Sequence, residues 1–284
     1  HTATALETIL ALLHEHTRHD LALYKSHTLV RRIARRMAVH GLDSMADYAR
    51  FLRANVQELD LLFKEMLIGV TSFFRDPEVW KELQEKVLPV LMERHAAGAG
   101  PMRAWVVGCS TGEEAYSLAM AFIEARDGLP PLNQPELQIF ATDLSADAIA
   151  AARSGRFAAT MARDLAPPRL ARFFAARPDG YQIDKQVRDM VLFAQHDVIM
   201  DPPFTRLDIV SCRNLMIYFD TALQKRLVPL FHYSLRSGGA LLLGGSETLG
   251  RAQSLFHALD QKSRLYWRKD NGGAAGALIF PTHR

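Results

Sequence analysis

Apolar residues along the first 95 positions recur every three to four residues, which is the spacing of amphipathic helices. The first set of this kind consists of Leu6, Ile9, Leu10 and Leu13. Gly41 is suited to end a later helix, and the glycine- and alanine-rich stretch His95–Pro101 has the composition of a linker. The pattern therefore predicts an all-helical N-terminal domain over residues 1–95.

The pattern changes after the linker. Over residues 101–270, short apolar runs alternate with helical segments, and such alternation predicts a parallel sheet with helices on both faces. The predicted strands are Ala104–Val107, Leu137–Thr142, Leu207–Cys212 and Ala240–Gly244. This alternation breaks between positions 155 and 198, where Tyr181–Ile183 and Val187–Phe193 predict a small antiparallel β subdomain at about 178–195.

The predicted fold class is therefore α/β. We expect a doubly wound, Rossmann-like sheet with a small antiparallel β insertion, preceded by an all-α domain. The glycine- and alanine-rich residues 271–284 are expected to form a frayed tail.

The composition of the chain indicates its cellular compartment and excludes some kinds of site. Cys109 and Cys212 are the two cysteines, too few for a disulfide framework or a zinc site, and His95, His196 and His232 have no ligand spacing. We therefore expect a reducing cytoplasm and no metal. No apolar run approaches the ~20 residues that span a bilayer, and no signal peptide opens the chain, so no membrane insertion is expected. The chain begins with His1, which predicts a piece of a longer protein with further domains.

Charge is uneven along the chain. The net charge is only +3, yet the helix predicted between Lys25 and Val39 carries several cations on one arc. These cations are Lys25, Arg31, Arg32, Arg35 and Arg36. A basic stripe on a near-neutral protein favours one acidic partner surface over a general affinity for nucleic acid. An ordinary solvated helix face has the same pattern, so both interpretations stay open.

Candidate chemistry lies where predicted strands end, because a doubly wound sheet binds its ligand outside the carboxyl ends of its strands. Gly108–Glu114 reads Gly-Cys-Ser-Thr-Gly-Glu-Glu, and its amides at a helix start suit a carboxylate or another anion. Asp143 ends the second strand and is suited to bridge two ribose hydroxyls. The loop lacks the third glycine of a dinucleotide fingerprint, which disfavours NAD and leaves S-adenosylmethionine, a cofactor with a ribose and no phosphate.

Three longer motifs stand out. They are Thr71-Ser-Phe-Phe-Arg75, Cys109-Ser-Thr-Gly-Glu-Glu-Ala-Tyr-Ser117 and Cys212-Arg-Asn-Leu-Met-Ile-Tyr-Phe-Asp220. Together, and in this order, they resemble the CheR-type chemotaxis receptor methyltransferases over about residues 25–269. The segments 201–208 and 230–235 are most similar to multidomain members, in which a receptor-methylesterase domain precedes the methyltransferase.

The resemblance implies a protein-glutamate O-methyltransferase that acts on the cytoplasmic helices of methyl-accepting chemoreceptors and releases S-adenosylhomocysteine. It assigns cofactor contacts to Thr71, Arg75, Glu114 with its neighbour Glu113, Asp143, Asp197, Val198, Arg213 and Asn214. Arg75 and Tyr218 become the candidate catalytic residues near the transferring methyl group. The stripe becomes a candidate receptor-binding surface, formed by Arg31, Arg32, Arg35 and Arg36.

This chain departs from the family pattern at some positions. Gly69 stands where some members carry asparagine, and Asp197 replaces an asparagine. The turn at Pro178–Gly180 is short, so tethered docking of a receptor's C-terminal peptide is not expected.

Two other functions are compatible with the same residues. One is methylation of a different protein or of a small molecule. The other is a non-catalytic module that senses the cofactor, or its demethylated product, within a larger signalling protein. The presence of Arg75, Arg213 and Tyr218 favours catalysis.

Overall fold

The structure, a computed structural model, describes residues 2–260 and 262–270, with side chains from residue 4 onward. It divides into two compact units. The helical unit comprises His1–Gly69 and Met216–Gln224, and the sheet unit comprises Val70–Leu215 and Lys225–Arg284. The predicted tail, residues 271–284, lies outside the described residues. Within the described ranges, no helix combines the length and the apolar composition needed to cross a bilayer.

The helical unit begins with helices that the periodicity predicted. They are α1 (Thr2–Thr17), α2 (Ser26–Val39), α3 (Met45–Ala54) and α4 (Val56–Met66). Gly41 follows α2 with a φ of 62°, a left-handed conformation that favours glycine after a helix. Ser44 caps α3, since its hydroxyl accepts a hydrogen bond from the amide of Asp47 at 3.1 Å.

A short segment from far along the chain completes the helical unit. The carbonyl of Tyr218 accepts a hydrogen bond from the amide of Lys25 at 2.9 Å, and the amide of Asp220 donates to the carbonyl of Leu23 at 2.8 Å. The rings of Tyr24 and Phe219 meet edge to face, with centroids 5.0 Å apart. Periodicity gave no sign of this pairing, because it joins residues distant in sequence.

The sheet unit contains the remaining elements, apart from the first turn of α11. The helices are α5 (Pro77–Glu82), α6 (Leu88–Arg94), α7 (Glu113–Asp127), α8 (Ala146–Ser154), α9 (Pro167–Phe173), α10 (Lys185–Asp189) and α11 (Thr221–Ser234), with a π-helical turn at Leu83–Val87. The strands are β1 (Met102–Val107), β2 (Leu137–Asp143), β3 (Arg156–Phe157), β4 (Phe174–Arg177), β5 (Gly180–Ile183), β6 (Val191–Gln195), β7 (Leu207–Cys212), β8 (Leu235–Leu243), β9 (Phe256–Ala258) and β10 (Leu265–Arg268).

The main sheet has seven strands in the order β6-β2-β1-β7-β8-β10-β9. The first five run parallel, and β10 and β9 add antiparallel pairs at one end. Every residue of β7 is buried, as expected for a parallel strand covered on both faces. The carboxyl ends of β6, β2, β1 and β7 therefore lie side by side at one edge of the sheet.

A small antiparallel β insertion is present as predicted, but one of the two segments predicted to form it belongs elsewhere. The small antiparallel sheet consists of β3, β5 and β4, so the predicted strand at Tyr181–Ile183 is confirmed. The predicted strand at Val187–Phe193 is wrong: Val187 lies in α10, and the following β6 is an edge strand of the main sheet, parallel to β2. A short apolar run does not reveal which sheet it joins, because both environments bury the same side chains.

The division between units also differs from the predicted linker at 95–101. The helices between Pro77 and Arg94 belong to the sheet unit, because their apolar faces are part of its core. The core residues on this segment are Trp80, Leu83, Val87, Leu88, Leu91 and Met92. Helical periodicity identifies an apolar face without indicating what it packs against.

Candidate active site

Four loops of the sheet unit meet at the edge described above. Gly108–Gly112 follows β1, Asp143 ends β2, Asp197 and Val198 follow β6, and Arg213 with Asn214 follows β7. Because β6, β2, β1 and β7 are adjacent, the structure brings these predicted cofactor residues to one edge of one sheet. This is the position at which doubly wound sheets bind ligands.

The loop after β1 has a backbone that requires glycine. Gly108 has a φ of 69°, and a Cβ there would lie 2.8 Å from Cδ2 of Leu215. Gly112 has a φ of 100° and leads directly into α7. The amide of Ser110 donates to the Asp143 carboxylate at 2.9 Å, which connects this loop to the end of β2.

Asp143 is held by backbone amides. One carboxylate oxygen accepts from Ser110, and the other accepts from Ser145 at 2.9 Å. Burial raises the pKa of Asp143, and these amide hydrogen bonds partly oppose that rise. Each oxygen keeps acceptor capacity for a ligand hydroxyl.

Asp197 lies in the loop that follows β6, next to the end of β2. The amide of His196 donates to the carbonyl of Asp143 at 3.0 Å, which places the β6 loop against the end of β2. Asp197 is buried, and its carboxylate accepts from the amide of Ile199 at 2.9 Å. Val198 is half-buried next to it.

The segment Thr71–Arg75 has an unusual backbone. Phe74 has a φ of 47° and Asp76 a φ of 57°, a left-handed conformation that costs about 1–3 kcal/mol for each non-glycine residue. The amide of Phe74 donates to the hydroxyl of Ser117 at 3.0 Å, and the indole of Trp80 donates to the carbonyl of Arg75 at 2.9 Å. Strain of this kind persists only where surrounding contacts enforce it, and it concentrates at functional sites.

A cleft of about 440 Å³ opens beside this segment. Its polar lining is formed by Thr71, Ser72, Glu113, Thr160, Arg163 and Asp164. The last three belong to a 3₁₀ turn at Ala159–Asp164. That turn lies inside the insertion and has no periodic or motif signal, so pattern reasoning had no means of finding it.

The two neighbouring glutamates at the start of α7 have different surroundings. Glu113 lines the cleft and accepts a hydrogen bond from the Thr111 hydroxyl at 2.6 Å. Glu114 accepts two hydrogen bonds from Arg213, each at 3.1 Å, and one from Ser211 at 3.0 Å. The geometry therefore favours Glu113 over Glu114 as a group that faces a ligand.

Replacing Glu113 by glutamine is expected to stabilise the protein at high pH. Burial raises the pKa of Glu113, with partial compensation from Thr111, so its ionised form costs stability above that pKa. The cost disappears as the pH falls below the unfolded value of about 4.3. Thermal unfolding should show Glu113→Gln to be more stable than the wild type at pH 8, with a difference that shrinks towards pH 4.

The exposed Glu85 offers a matched control for this experiment. Glu85→Gln makes the same chemical change without burial, so its effect should be small across the same range. A Glu113→Gln difference that stays constant with pH would contradict the assignment of a buried charge.

The predicted basic face of α2 needs a correction. Arg32 is only 8% exposed, and its guanidinium donates to the carbonyls of Glu65 and Ile68 at 3.0 and 2.8 Å. Arg36 donates to both oxygens of the buried Glu58 at 2.8 Å. Arg32 and Arg36 therefore serve the interior of the helical unit, because C-terminal carbonyls and a buried carboxylate need donors.

Arg31 and Arg35 remain on the surface of α2. The Arg35 guanidinium lies 3.3 Å from a carboxylate oxygen of Glu65, in a solvent-accessible pair. Tyr218, the other candidate outside the sheet unit, lies in the short turn Met216–Tyr218 of the helical unit. Its catalytic assignment stays a prediction.

Both cysteines of the site motifs are buried thiols. Burial raises the pKa of Cys109 and of Cys212 well above the ordinary value, with the nearby carboxylates of Asp143 and Glu247 acting in the same direction. A thiol with a raised pKa stays protonated at neutral pH and is a poor nucleophile. The two cysteines therefore act as small packing residues.

Two family models match this chain. The model of the CheR methyltransferase SAM-binding domain covers residues 69–265, and that of the CheR methyltransferase all-alpha domain covers residues 4–67. The chain belongs to the CheR methyltransferase family. Its cofactor is S-adenosylmethionine, and the predicted fold class is confirmed.

Individual proteins similar to this chain include a chemotaxis methyltransferase. The Chemotaxis protein methyltransferase 2 of Vibrio cholerae is 32% identical over 255 residues, which cover 87% of each chain. A 104.1 kDa protein of Rhodobacter capsulatus, described as uncharacterized, is 43% identical over 96% of this chain, which spans 28% of that protein's length. A TehB-like methyltransferase structure from Corynebacterium glutamicum matches 68% of this chain and 93% of its own, with 13% identity and a TM-score of 0.36.

The residues at the sheet edge fit the CheR cofactor part by part. S-adenosylmethionine carries an ammonium, a carboxylate, a ribose diol and an adenine amino group. Glu113, Asp143 and Asp197 are acceptors that would suit the ammonium, the diol and the amino group, respectively. The amides of the glycine-bearing loop at the start of α7 supply donors for the carboxylate.

Proposed function

We propose that this chain esterifies glutamate side chains on the cytoplasmic helices of methyl-accepting chemoreceptors, using S-adenosylmethionine. The observation that carries the proposal is the set of acceptors at the sheet edge, formed by Glu113, Asp143 and Asp197. The proposed location is the cytoplasm, where the receptor helices are accessible.

The reaction makes few chemical demands on the protein. A glutamate carboxylate has a pKa of about 4.3 and is already ionised at neutral pH, so it needs no general base. Bound S-adenosylmethionine supplies an electrophilic methyl group. The protein has to align the carboxylate behind the methyl carbon at near-attack distance, and such orientation is worth up to ~7–11 kcal/mol.

The need to align the substrate carboxylate gives Arg75 and Tyr218 their proposed roles. One terminal nitrogen of Arg75 donates to the carbonyl of Val70 at 3.1 Å, and Val70 directly precedes the cleft-lining Thr71. The remaining donors of Arg75 are suited to orient a carboxylate, either that of the cofactor or that of the substrate. Tyr218 is proposed to hold the incoming glutamate or the departing sulfur region through its hydroxyl.

Two measurements test the proposed function. Calorimetry with S-adenosylhomocysteine reports cofactor binding alone, and transfer of a tritiated methyl group to receptor-containing membranes reports catalysis. The label should be released as methanol by mild alkali, because methyl esters hydrolyse there, and a receptor whose acceptor glutamates are alanine should remain unlabelled. Binding without transfer would indicate a sensory module instead, and alkali-stable label would indicate another acceptor.

The surface of α2 gives a prediction about the receptor. Arg31 and Arg35 are its exposed cations, and each exposed charge pair contributes about 0.2–1 kcal/mol. The double variant Arg31→Glu with Arg35→Glu reverses both charges. It should raise the apparent KM for receptor about tenfold at low salt and leave the affinity for cofactor unchanged. At high salt, most of the difference in KM should disappear.

The matched control for this pair is Arg50→Glu with Arg53→Glu on α3. It changes two exposed cations of the same unit by the same net charge. Equal KM changes in both double variants would show a nonspecific charge effect, and α2 would then be an ordinary solvated face.

A further inference from the structure

Arg213 is enclosed by the sheet unit, although the family resemblance offers it as a cofactor contact. Its side chain is 1% exposed. One terminal nitrogen donates to both carboxylate oxygens of Glu114 at 3.1 Å. The other donates to the carbonyl of Arg75 at 2.9 Å and to the carboxylate of Asp76 at 3.0 Å. Both terminal nitrogens are therefore committed within the protein.

Two of the hydrogen bonds of Arg213 go to the backbone segment with left-handed residues at Phe74 and Asp76. Phe74 and Asp76, on either side of Arg75, have left-handed backbones. The carbonyl between them accepts from Arg213 and also from the indole of Trp80. The guanidinium lies 5.6 Å from the centre of that indole ring. Arg213 thus fixes the main chain from which the Arg75 side chain projects.

The Glu114 carboxylate, which accepts from Arg213, is also held in place. Glu114 lies in the first turn of α7, and its carboxylate accepts from Ser211 of β7 as well as from Arg213. The pair connects the end of β7 and the start of α7 to the segment Thr71–Arg75. One terminal nitrogen of Arg213 holds Glu114 and the other holds the Arg75 carbonyl and Asp76, and lysine does not reproduce this planar arrangement of donors.

We propose that Arg213 is a positioning residue that holds the left-handed backbone around Arg75 and acts through Arg75. The expected effect of Arg213 on turnover rests on the proposed function, whereas its expected effect on the backbone of residues 74–76 does not. Arg213→Lys keeps the charge and loses the fork, and Glu114→Gln weakens the same contact from the other side.

The first test is amide hydrogen exchange followed by mass spectrometry. Peptides that cover residues 70–80 should exchange at least about tenfold faster in Arg213→Lys, and faster than wild type in Glu114→Gln, because the segment opens locally. The matched control is Arg236→Lys, since Arg236 pairs with Asp208 near the opposite end of β7 and should leave these peptides unchanged. Unchanged exchange in Glu114→Gln and in a folded Arg213→Lys overturns the proposal.

The second test is a double-mutant cycle with Arg75→Ala. It is read by calorimetry with S-adenosylhomocysteine and by the rate of methyl transfer. If Arg213 acts through Arg75, any loss that Arg213→Lys causes should largely disappear in the Arg75→Ala background, because residues acting as a unit are not additive. An equal loss of affinity in both backgrounds means direct cofactor contact and overturns the proposal.

The two proposals fail in different ways. Hydrogen exchange and S-adenosylhomocysteine binding require no methyl acceptor. A wild-type protein that binds the cofactor product and methylates no receptor would refute the proposed function while leaving the positioning test intact.

Discussion

Asp143→Ala is expected to weaken binding of S-adenosylmethionine by about 10- to 150-fold. The carboxylate is fixed by the amides of Ser110 and Ser145, and it ends β2 at the edge where doubly wound sheets bind ligands. Loss of a hydrogen bond to a charged group costs about 1.5–3 kcal/mol, which gives this range. Isothermal titration calorimetry measures the effect directly.

Two companion variants sharpen the Asp143 experiment. Asp143→Asn keeps an oxygen for the backbone amides and should lose less affinity than Asp143→Ala. Asp179→Ala removes the same group from an exposed turn of the insertion and should bind the cofactor like the wild type. Wild-type affinity in a folded Asp143→Ala protein would rule out the ribose contact.

Glu58→Ala is expected to destabilise the protein by about 3 kcal/mol, near the lower limit for breaking a buried ion pair. Glu58 is 4% exposed, and its carboxylate accepts two hydrogen bonds from Arg36 and one from Tyr48 at 2.7 Å. Arg36 keeps partial access to water in the variant, which limits the loss. Urea unfolding monitored by circular dichroism measures it.

The pH dependence of this stability difference shows whether the ionised Glu58 carboxylate is its cause. Burial alone would raise the pKa of Glu58, but hydrogen bonds from Arg36, Tyr48 and His40 lower it to about 2. A lowered carboxyl pKa contributes stability that is present above the unfolded value of about 4.3 and is lost as pH falls through the folded value. The difference between wild type and Glu58→Ala should therefore shrink between about pH 4 and pH 2.

Glu65→Ala is the matched control on the same helix. Its partner Arg35 is solvent-exposed, so the pair contributes less than about 1 kcal/mol. If both variants lose equal stability, burial of the Glu58 pair is not the cause.

The sequence was a good guide to the sheet because strand burial is periodic and local. β7 was predicted at its observed bounds, and the predicted β1 and β2 differ from the observed strands by one or two residues. The loops that follow these strands were therefore correctly expected at one edge, which brought Glu113 and Asp143 into the candidate site. Motif order supplied the family, which periodicity alone does not.

The sequence was a poor guide wherever the outcome depended on distant partners. Arg32 and Arg36 have the helical spacing of a solvated stripe, but partners on α4 use both of them internally. Arg213 was predicted as a ligand contact, and its commitment to Glu114 and Asp76 depends on tertiary structure. Helical spacing locates a side chain on a face and carries no information about a neighbour more than twenty positions away.

The discontinuity of the helical unit has a consequence for biosynthesis. Tyr24 and Phe219 pack together although 195 positions separate them. A ribosome adds about 5–20 residues per second, so the nascent N-terminal helices wait on the order of ten seconds or more before the segment 216–224 emerges. Over that interval the first 69 residues are an incomplete folding unit whose last packing partner has yet to be translated.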